Sequence, residues 1–431
     1  MITQVGLLPI FLAVWGVHLY GEWLVLFALS AYFSTVAEAG ITQVVANDMT
    51  ISFAKNQRKE EILTTFQSAW LFVSTLSLLV AGAVAIGSGL LGVAPTLRLS
   101  LMPEEQARQI LLCTLVTFII GLQQGIMQSA LRAVGRFAEG SFGYNLSLLF
   151  EAGTIALALV LGAPPEIVAT LILIIRFAAL GISITMLRQF APWLRQGLAH
   201  ATASEMRRLL LPSLAMLGIP AGNAAMMQGL IMILNGTVGS SAVVLFSTTR
   251  TMTRFVIQAI SWFSFSSWPE ISRLYGAGRN DRLSSYLTHG TQLAIILAAP
   301  FGIVVVVGAP VIFRIWTVGR IEPDHALVVI LMIGAIATTL RAFPDTLVFA
   351  TNRHLRYGGL YFVVCLTAAI ASYPASLKFG LSGAAVAVTA AEIVLLVSSF
   401  TRALEQVGEG FAPLRRVCTA LPPINKLFKQ S

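Results

Sequence analysis

Twelve apolar runs, each near the length that crosses a bilayer, decide what this chain can fold into. They fall at about 2–19, 22–46, 63–92, 109–130, 140–162, 165–187, 212–234, 239–264, 286–312, 325–350, 357–376 and 381–403. A helix needs roughly 20 apolar residues to cross the hydrocarbon. Lipid-exposed strands would have to close into a barrel and alternate with period two over about ten residues. These runs are longer and uniformly apolar, so the expected fold class is all-α, a polytopic membrane protein of about twelve transmembrane helices. Composition agrees: 56% of the 431 residues are hydrophobic and 11% charged, against roughly 25% charged in a soluble domain. A water-facing surface could not be solvated with so little charge.

A net charge of +9 raises nucleic acid as a partner, but the charges sit in short stretches between the runs, as topology-setting loop charges do. With the N-terminus placed in the cytoplasm, nineteen of the 28 Lys and Arg fall inside, among them Lys55, Arg58, Lys59, Arg132, Arg136, Arg207, Arg208, Arg273, Arg353, Arg415, Lys426 and Lys429. Five fall outside: Arg98, Arg108, Arg314, Arg320 and Lys378. The asymmetry predicts both termini inside. Cys113, Cys365 and Cys418 are too dispersed for a disulfide framework or a metal site. No secretory leader is expected, because no Lys or Arg precedes Lys55.

The chain reads as doubled. Leu24-Val25-Leu26-Phe27 opens the second run and Val243-Val244-Leu245-Phe246 the eighth; Asn56-Gln57-Arg58-Lys59 follows the one and Gly278-Arg279-Asn280-Asp281-Arg282 the other. Both matches lie about 220 residues apart. The expected organisation is a six-helix lobe over 1–187, a basic cytoplasmic linker over 188–211, a second six-helix lobe over 212–404 and a basic tail over 405–431. Both lobes start on one side, so the repeats are parallel.

Charges inside hydrocarbon are costly and default to function or to pairing. Arg176 lies in the sixth run, Arg250 and Arg254 in the eighth and Arg341 in the tenth. Arg250 is 11 residues into its run, about 16 Å deep, with Arg254 one turn further on the same face. Guanidinium groups grip phosphate oxygens through paired donors, so Arg176, Arg250, Arg254 and Arg341 are the candidates for an anionic, pyrophosphate-type head. Glu38, Glu151, Glu392 and Asp345 also lie in runs. They are candidates for ion coupling or for neutralising the arginines, and Arg341 and Asp345 are spaced i,i+4 for such a pair.

Several patterns carry no chemistry. Gly87-Ser88-Gly89-Leu90-Leu91-Gly92 matches a dinucleotide fingerprint without the strand that must precede it, and no phosphate-loop sequence is present. His18, His200, His289, His325 and His354 lack ligand spacing. Trp15, Trp23, Trp193, Trp268 and Trp316 fall near run ends, as interfacial anchors do. Pro9, Pro220, Pro300 and Pro310 read as tolerated kinks, or as bends used in rocking.

Tyr20-Gly21-Glu22-Trp23 after the first run, Glu38-Ala39-Gly40 in the second, a basic amphipathic loop after it, and Ala130-Leu131-Arg132-Ala133-Val134-Gly135-Arg136 after the fourth carry a resemblance. Together with the six-plus-six layout, they resemble the polysaccharide flippase branch of the multidrug/oligosaccharidyl-lipid/polysaccharide exporter superfamily, which includes O-antigen and capsule repeat-unit flippases. Members of that branch often carry Asp before the Gly, where this chain has Glu38 one residue further back. The resemblance implies alternating access between two lobes, with a polyprenyl-pyrophosphate-linked oligosaccharide passing from the cytoplasmic to the outer leaflet for cell-surface polysaccharide synthesis.

Two other classes stay open. A drug or cation antiporter of the same superfamily would share the fold, with an acid-rich cavity. A membrane polysaccharide polymerase or ligase would need a sizeable outer loop, whereas the longest here is about 93–108, with only Glu104 and Glu105 as acids. The expectation is therefore a transporter and not an enzyme, with no catalytic residue, metal or cofactor. Its expected partners are the lipid-linked oligosaccharide, membrane lipids and other polysaccharide-assembly membrane proteins, with no nucleic acid. The expected site is a bacterial cytoplasmic (inner) membrane, and the expected state a monomer.

Overall fold

A computed structural model describes residues 2–38, 41–54, 58–267, 270–271, 274–275, 277–350, 354–408, 410 and 416–417. Lys55, Trp268, Arg273, Arg353, Arg415, Cys418, Lys426 and Lys429 lie outside them. The described residues are predominantly helical, with no strand among them.

In chain order the helices are α1 (Ile2–Val14), α2 (Gly16–Glu38), α3 (Ile41–Ala54), α4 (Lys59–Leu91), α5 (Val93–Leu97), α6 (Glu104–Ala133), α7 (Phe137–Val160) and α8 (Pro165–Phe190). Then come α9 (Ala203–Ala224), a π-helical turn (Ala225–Gly229), α10 (Leu230–Thr237), α11 (Ser240–Thr253) and α12 (Phe255–Ser266). The chain closes with α13 (Asn280–Trp316), α14 (His325–Ala350) and α15 (His354–Val407). Gly380, at φ 59° and ψ −144°, divides α15 into two helices, and Gly383 folds back against the Ala375 carbonyl. Taking α2 with α3, α9 with α10, and α11 with α12, the runs become twelve helices, six in each half.

Local chemistry sets many of the ends. Glu104 and Glu105 open α6 and Arg132 closes it; Glu166 and Arg188 do the same for α8, each charge matching the helix dipole. Pro165 occupies the first turn of α8, where its missing N–H costs nothing. The glycine-rich stretch over 87–92 is the end of α4, capped by Gly92 at φ 71°.

Three details differ from the sequence reading. The first helix stops at Val14 and the second begins at Gly16, whose φ of 73° makes the break that a purely apolar run conceals. The second helix reaches Ala54, past the expected end at 46, with residues 39 and 40 outside the described ones. The eighth is two segments, divided at Arg254.

The outward faces are apolar. Leu90 is 80% exposed, Leu161 76% and Val307 74%, an arrangement that water penalises and lipid accepts. The chain is a multi-pass membrane protein.

Two compact units are present: Met1–Val244 with Trp316–Arg320, and Leu245–Ile315 with Ile321–Ser431. The sequence repeat divides the chain at 188–211, whereas packing groups α9, the π turn and α10 with the first unit. Within that unit Phe11, Trp15, Tyr20 and Trp23 stack at centroid distances of 4.9–6.4 Å. The buried Glu22 carboxylate holds the loop after α5, accepting from the amides of Ser100 (2.6 Å), Leu101 (2.9 Å) and Met102 (2.9 Å).

The segment over 191–202 is fixed to α4. Gln67 donates to the Arg195 carbonyl (2.9 Å) and accepts from the His200 amide (2.8 Å), and Ser68 accepts from the Thr202 amide (3.1 Å). Thr202 then caps α9 by accepting from the Glu205 amide. Arg208 bridges Asp48 and Glu205, both at 2.6 Å, and the Thr65 hydroxyl donates to Glu205 at 2.6 Å. The Arg208 hydrogen bond, with help from Thr65, holds the Glu205 carboxyl below its ordinary range. Hydrogen bonds to Glu205 and Asp48 push Arg208 upward in turn.

At the other end, Asn235 donates to the Leu97 carbonyl and Arg98 to the Gly236 carbonyl. Gly21 lies against the Ser240 backbone, and Ser241 is 2.9 Å from His18 Nδ1. The seventh helix is thus fastened to the first unit at both ends. Its π turn, five residues past Pro220, takes up a local break in the helical register.

Candidate functional site

The intramembrane charges form three groups. In the first unit, α7 and α8 bring Glu151 and Arg176 together as an ion pair, Nε to Oε2 at 2.6 Å, with Nη2 donating to Oε1 at 3.1 Å. Both side chains are 15% exposed, so each charge is satisfied by the other where water is scarce. Glu38 stands apart from that pair, at the end of α2, hydrogen-bonded with Thr42 at the start of α3.

In the second unit, Arg341 of α14 meets Asp345 one turn on, at 3.1 Å, and Glu392 of α15 at 3.2 Å. The guanidinium also lies 5.3 Å over the Tyr361 ring. Asp345 accepts from Tyr357 and Ser399 hydroxyls, both at 2.6 Å. The i,i+4 pairing of Arg341 with Asp345 was expected, whereas the two hydroxyls and the second carboxylate were not assigned to it. A signal was present: seven residues separate Glu392 from Ser399, two turns on one face. One cation against two carboxylates leaves this buried group one negative charge in excess when all three are ionised, which suits a proton or a small cation and repels an anion.

Arg250 and Arg254 differ in kind. They sit at the end of α11 in the run Ser247-Thr248-Thr249-Arg250-Thr251-Met252-Thr253-Arg254, and Arg254 still donates its amide to the Arg250 carbonyl at 3.2 Å. The Arg250 guanidinium lies 5.7 Å over the Phe246 ring, and the two arginines are near enough to repel. The hydroxyls of Thr249, Thr251 and Thr253 bond back to carbonyls of their own helix. Among the described residues, Ser247 Oγ is buried with no hydrogen-bond partner. Five hydroxyls and two guanidiniums in eight consecutive residues of a span are too polar for a lipid-facing surface. The hydroxyls are the part that a reading of charges alone passes over.

No protein-family model matches the chain, and no curated protein sequence does. Solved structures do. An inward-facing multidrug resistance MATE family transporter of the MOP superfamily superposes with a TM-score of 0.72 at 12% identity, over 94% of each chain. Lipid II flippase MurJ in an inward closed conformation gives 0.64 at 13%, over 97% of this chain and 89% of that one. The MATE multidrug transporter DinF-BH in complex with R6G gives 0.59 at 16%, over 94% and 91%. At these identities the fold is what is shared: the chain has the twelve-helix, two-lobed architecture of the MATE transporters and of the MurJ flippase.

Proposed function

We propose that this protein is a transporter that flips a polyprenyl-pyrophosphate-linked oligosaccharide between leaflets by alternating access, serving cell-surface polysaccharide synthesis. The observation that carries the reading is the Arg250–Arg254 pair within its hydroxyl-rich run. Two like charges one turn apart repel each other, and a dianion held between them offsets that repulsion. Arg176 and Arg341 pair with carboxylates in their own units. The acid-excess group around Arg341 supplies ion coupling, and Glu38 is a second candidate for it. The Lys and Arg distribution supports both termini in the cytoplasm, the membrane being a bacterial inner membrane. The resemblance supports other polysaccharide-assembly membrane proteins as partners.

A drug or cation antiporter is the second reading, favoured by the negative excess at Arg341, Asp345 and Glu392 and by the MATE transporters that share the fold. Proteoliposomes separate the two. With a fluorescent polyprenyl-pyrophosphate oligosaccharide and an impermeant quencher, protein-dependent movement is expected between leaflets, reduced at least tenfold in Arg250→Ala/Arg254→Ala. Folded protein that moves no glycan lipid but exchanges a cationic dye for protons overturns the flippase reading.

A further inference from the structure

The acid-excess group of the second unit holds two carboxylates in unlike surroundings. Asp345 Oδ1 accepts from the Tyr357 and Ser399 hydroxyls, both at 2.6 Å, and its Oδ2 lies 3.1 Å from Arg341 Nε. Glu392 Oε2 lies 3.2 Å from Arg341 Nη2, yet among the described residues that oxygen is buried with no hydrogen-bond partner. The Glu392 side chain is 6% exposed, so bulk water does not supply one.

The asymmetry decides which acid changes its charge. A hydrogen bond donated to a carboxylate favours the anion, and burial without one favours the acid. Asp345 has two such bonds beside the guanidinium, so Asp345 and Arg341 balance each other. Glu392 is left as the uncompensated charge, and a proton on Oε2 cancels it. A metal ion fits less well. Arg341 already contacts both carboxylates and would repel a second cation, and the two hydroxyls are turned to Asp345. A hard metal ion takes several oxygen ligands, whereas a proton takes one oxygen.

The other ionisable groups around the cluster are few. From α15, Tyr361 lies beneath the Arg341 guanidinium, Cys365 stands one turn from Tyr361, and Arg402 lies 5.8 Å over the Tyr357 ring. From α13, Tyr286 meets α14 at Phe343. α12 packs on α14 as well and has no ionisable side chain over 255–266.

Resting on the ion-coupling reading of this group, we propose that the coupling ion is a proton, that Glu392 takes it up and releases it, and that Asp345 remains the standing counter-ion of Arg341.

Infrared spectroscopy of the detergent-purified full chain, scanned across pH, tests the assignment through the carbonyl stretch of protonated carboxyl groups. A band that falls as pH rises is expected in the wild type, lost in Glu392→Gln and kept in Ser399→Ala, which removes one donor from Asp345. Glu392→Asp should shift the band rather than remove it, which separates loss of the proton site from loss of the fold. Sodium in place of choline at constant pH should leave the band unchanged. A band that survives in Glu392→Gln and vanishes in Asp345→Asn overturns the inference, as does a wild type without any band that Glu392→Gln removes. A band discharged by sodium would make this a metal site and overturn it too. No transport enters these spectra, so a chain that moves no glycan lipid leaves their result standing.

Discussion

Arg98 donates from its guanidinium to the Gly236 carbonyl at 2.6 Å while its own backbone sits at φ 54°. The side chain fastens α10, but the left-handed backbone disfavours any residue with a Cβ. Arg98→Ala loses the bond and keeps the strain; Arg98→Gly loses the bond and relieves the strain. Arg98→Gly is therefore expected to be more stable than Arg98→Ala by about 0.5–1 kcal/mol, read as a difference in thermal midpoint in detergent. Equal midpoints would mean that the left-handed conformation is not populated.

Arg341 pairs with two carboxylates at once. Arg341→Gln strands Asp345 and Glu392 in the interior and should cost about 3–5 kcal/mol. Glu392→Gln removes only the excess charge and should cost far less, since Asp345 keeps its contacts to Tyr357 and Ser399. Chemical denaturation of both variants checks the order, and a reversed order would show that the group does not act as one network.

Two glycines permit close approaches of different hardness. A Cβ on Gly21 would lie 2.3 Å from the Ser240 carbonyl oxygen, which is backbone; one on Gly290 would lie 2.3 Å from a Phe343 ring atom, which is a side chain. Overpacking costs about 1–3 kcal/mol where neighbours can move. Gly290→Ala should fall in that range, and Gly21→Ala should exceed it. Thermal unfolding and expression yield of the two variants make the comparison.

The Glu205 carboxyl is held below its ordinary value by Arg208 and Thr65. A lowered folded-state value stabilises the fold above the unfolded carboxyl's pKa and loses that stabilisation as pH falls through the folded value. Stability of the wild type should therefore drop below about pH 4.5 more steeply than that of Glu205→Gln, which has no proton to bind at this position. Parallel slopes across pH 3–6 would show that Glu205 does not contribute to the acid transition.

Much of the architecture was legible because hydrocarbon imposes one length and one polarity on every span. The runs at 109–130 and 325–350 match α6 and α14 closely. Segmentation was not legible: nothing in an apolar run separates Val14 from Gly16, since the break is a single glycine dihedral. The Arg341–Asp345 contact could be read from i,i+4 spacing, because both residues share a helix. Arg176 with Glu151, and Arg341 with Glu392, depend on which helices become neighbours, and one sequence does not say. The hydroxyls of α11 were visible but lay outside a search confined to charge. The placement of α9 and α10 in the first unit was hidden as well, because the 220-residue repeat assigns them to the second half.

That placement bears on biosynthesis. A ribosome making this chain finishes the first six helices well before α10 emerges. Until then Asp48, Thr65 and the Leu97 carbonyl lack Arg208, Glu205 and Asn235, the groups that cover them in the finished protein. The Met1–Val244 part of the first unit can therefore close no earlier than the emergence of residue 244. A gene divided there should yield a more stable amino-terminal fragment than one divided within 191–202.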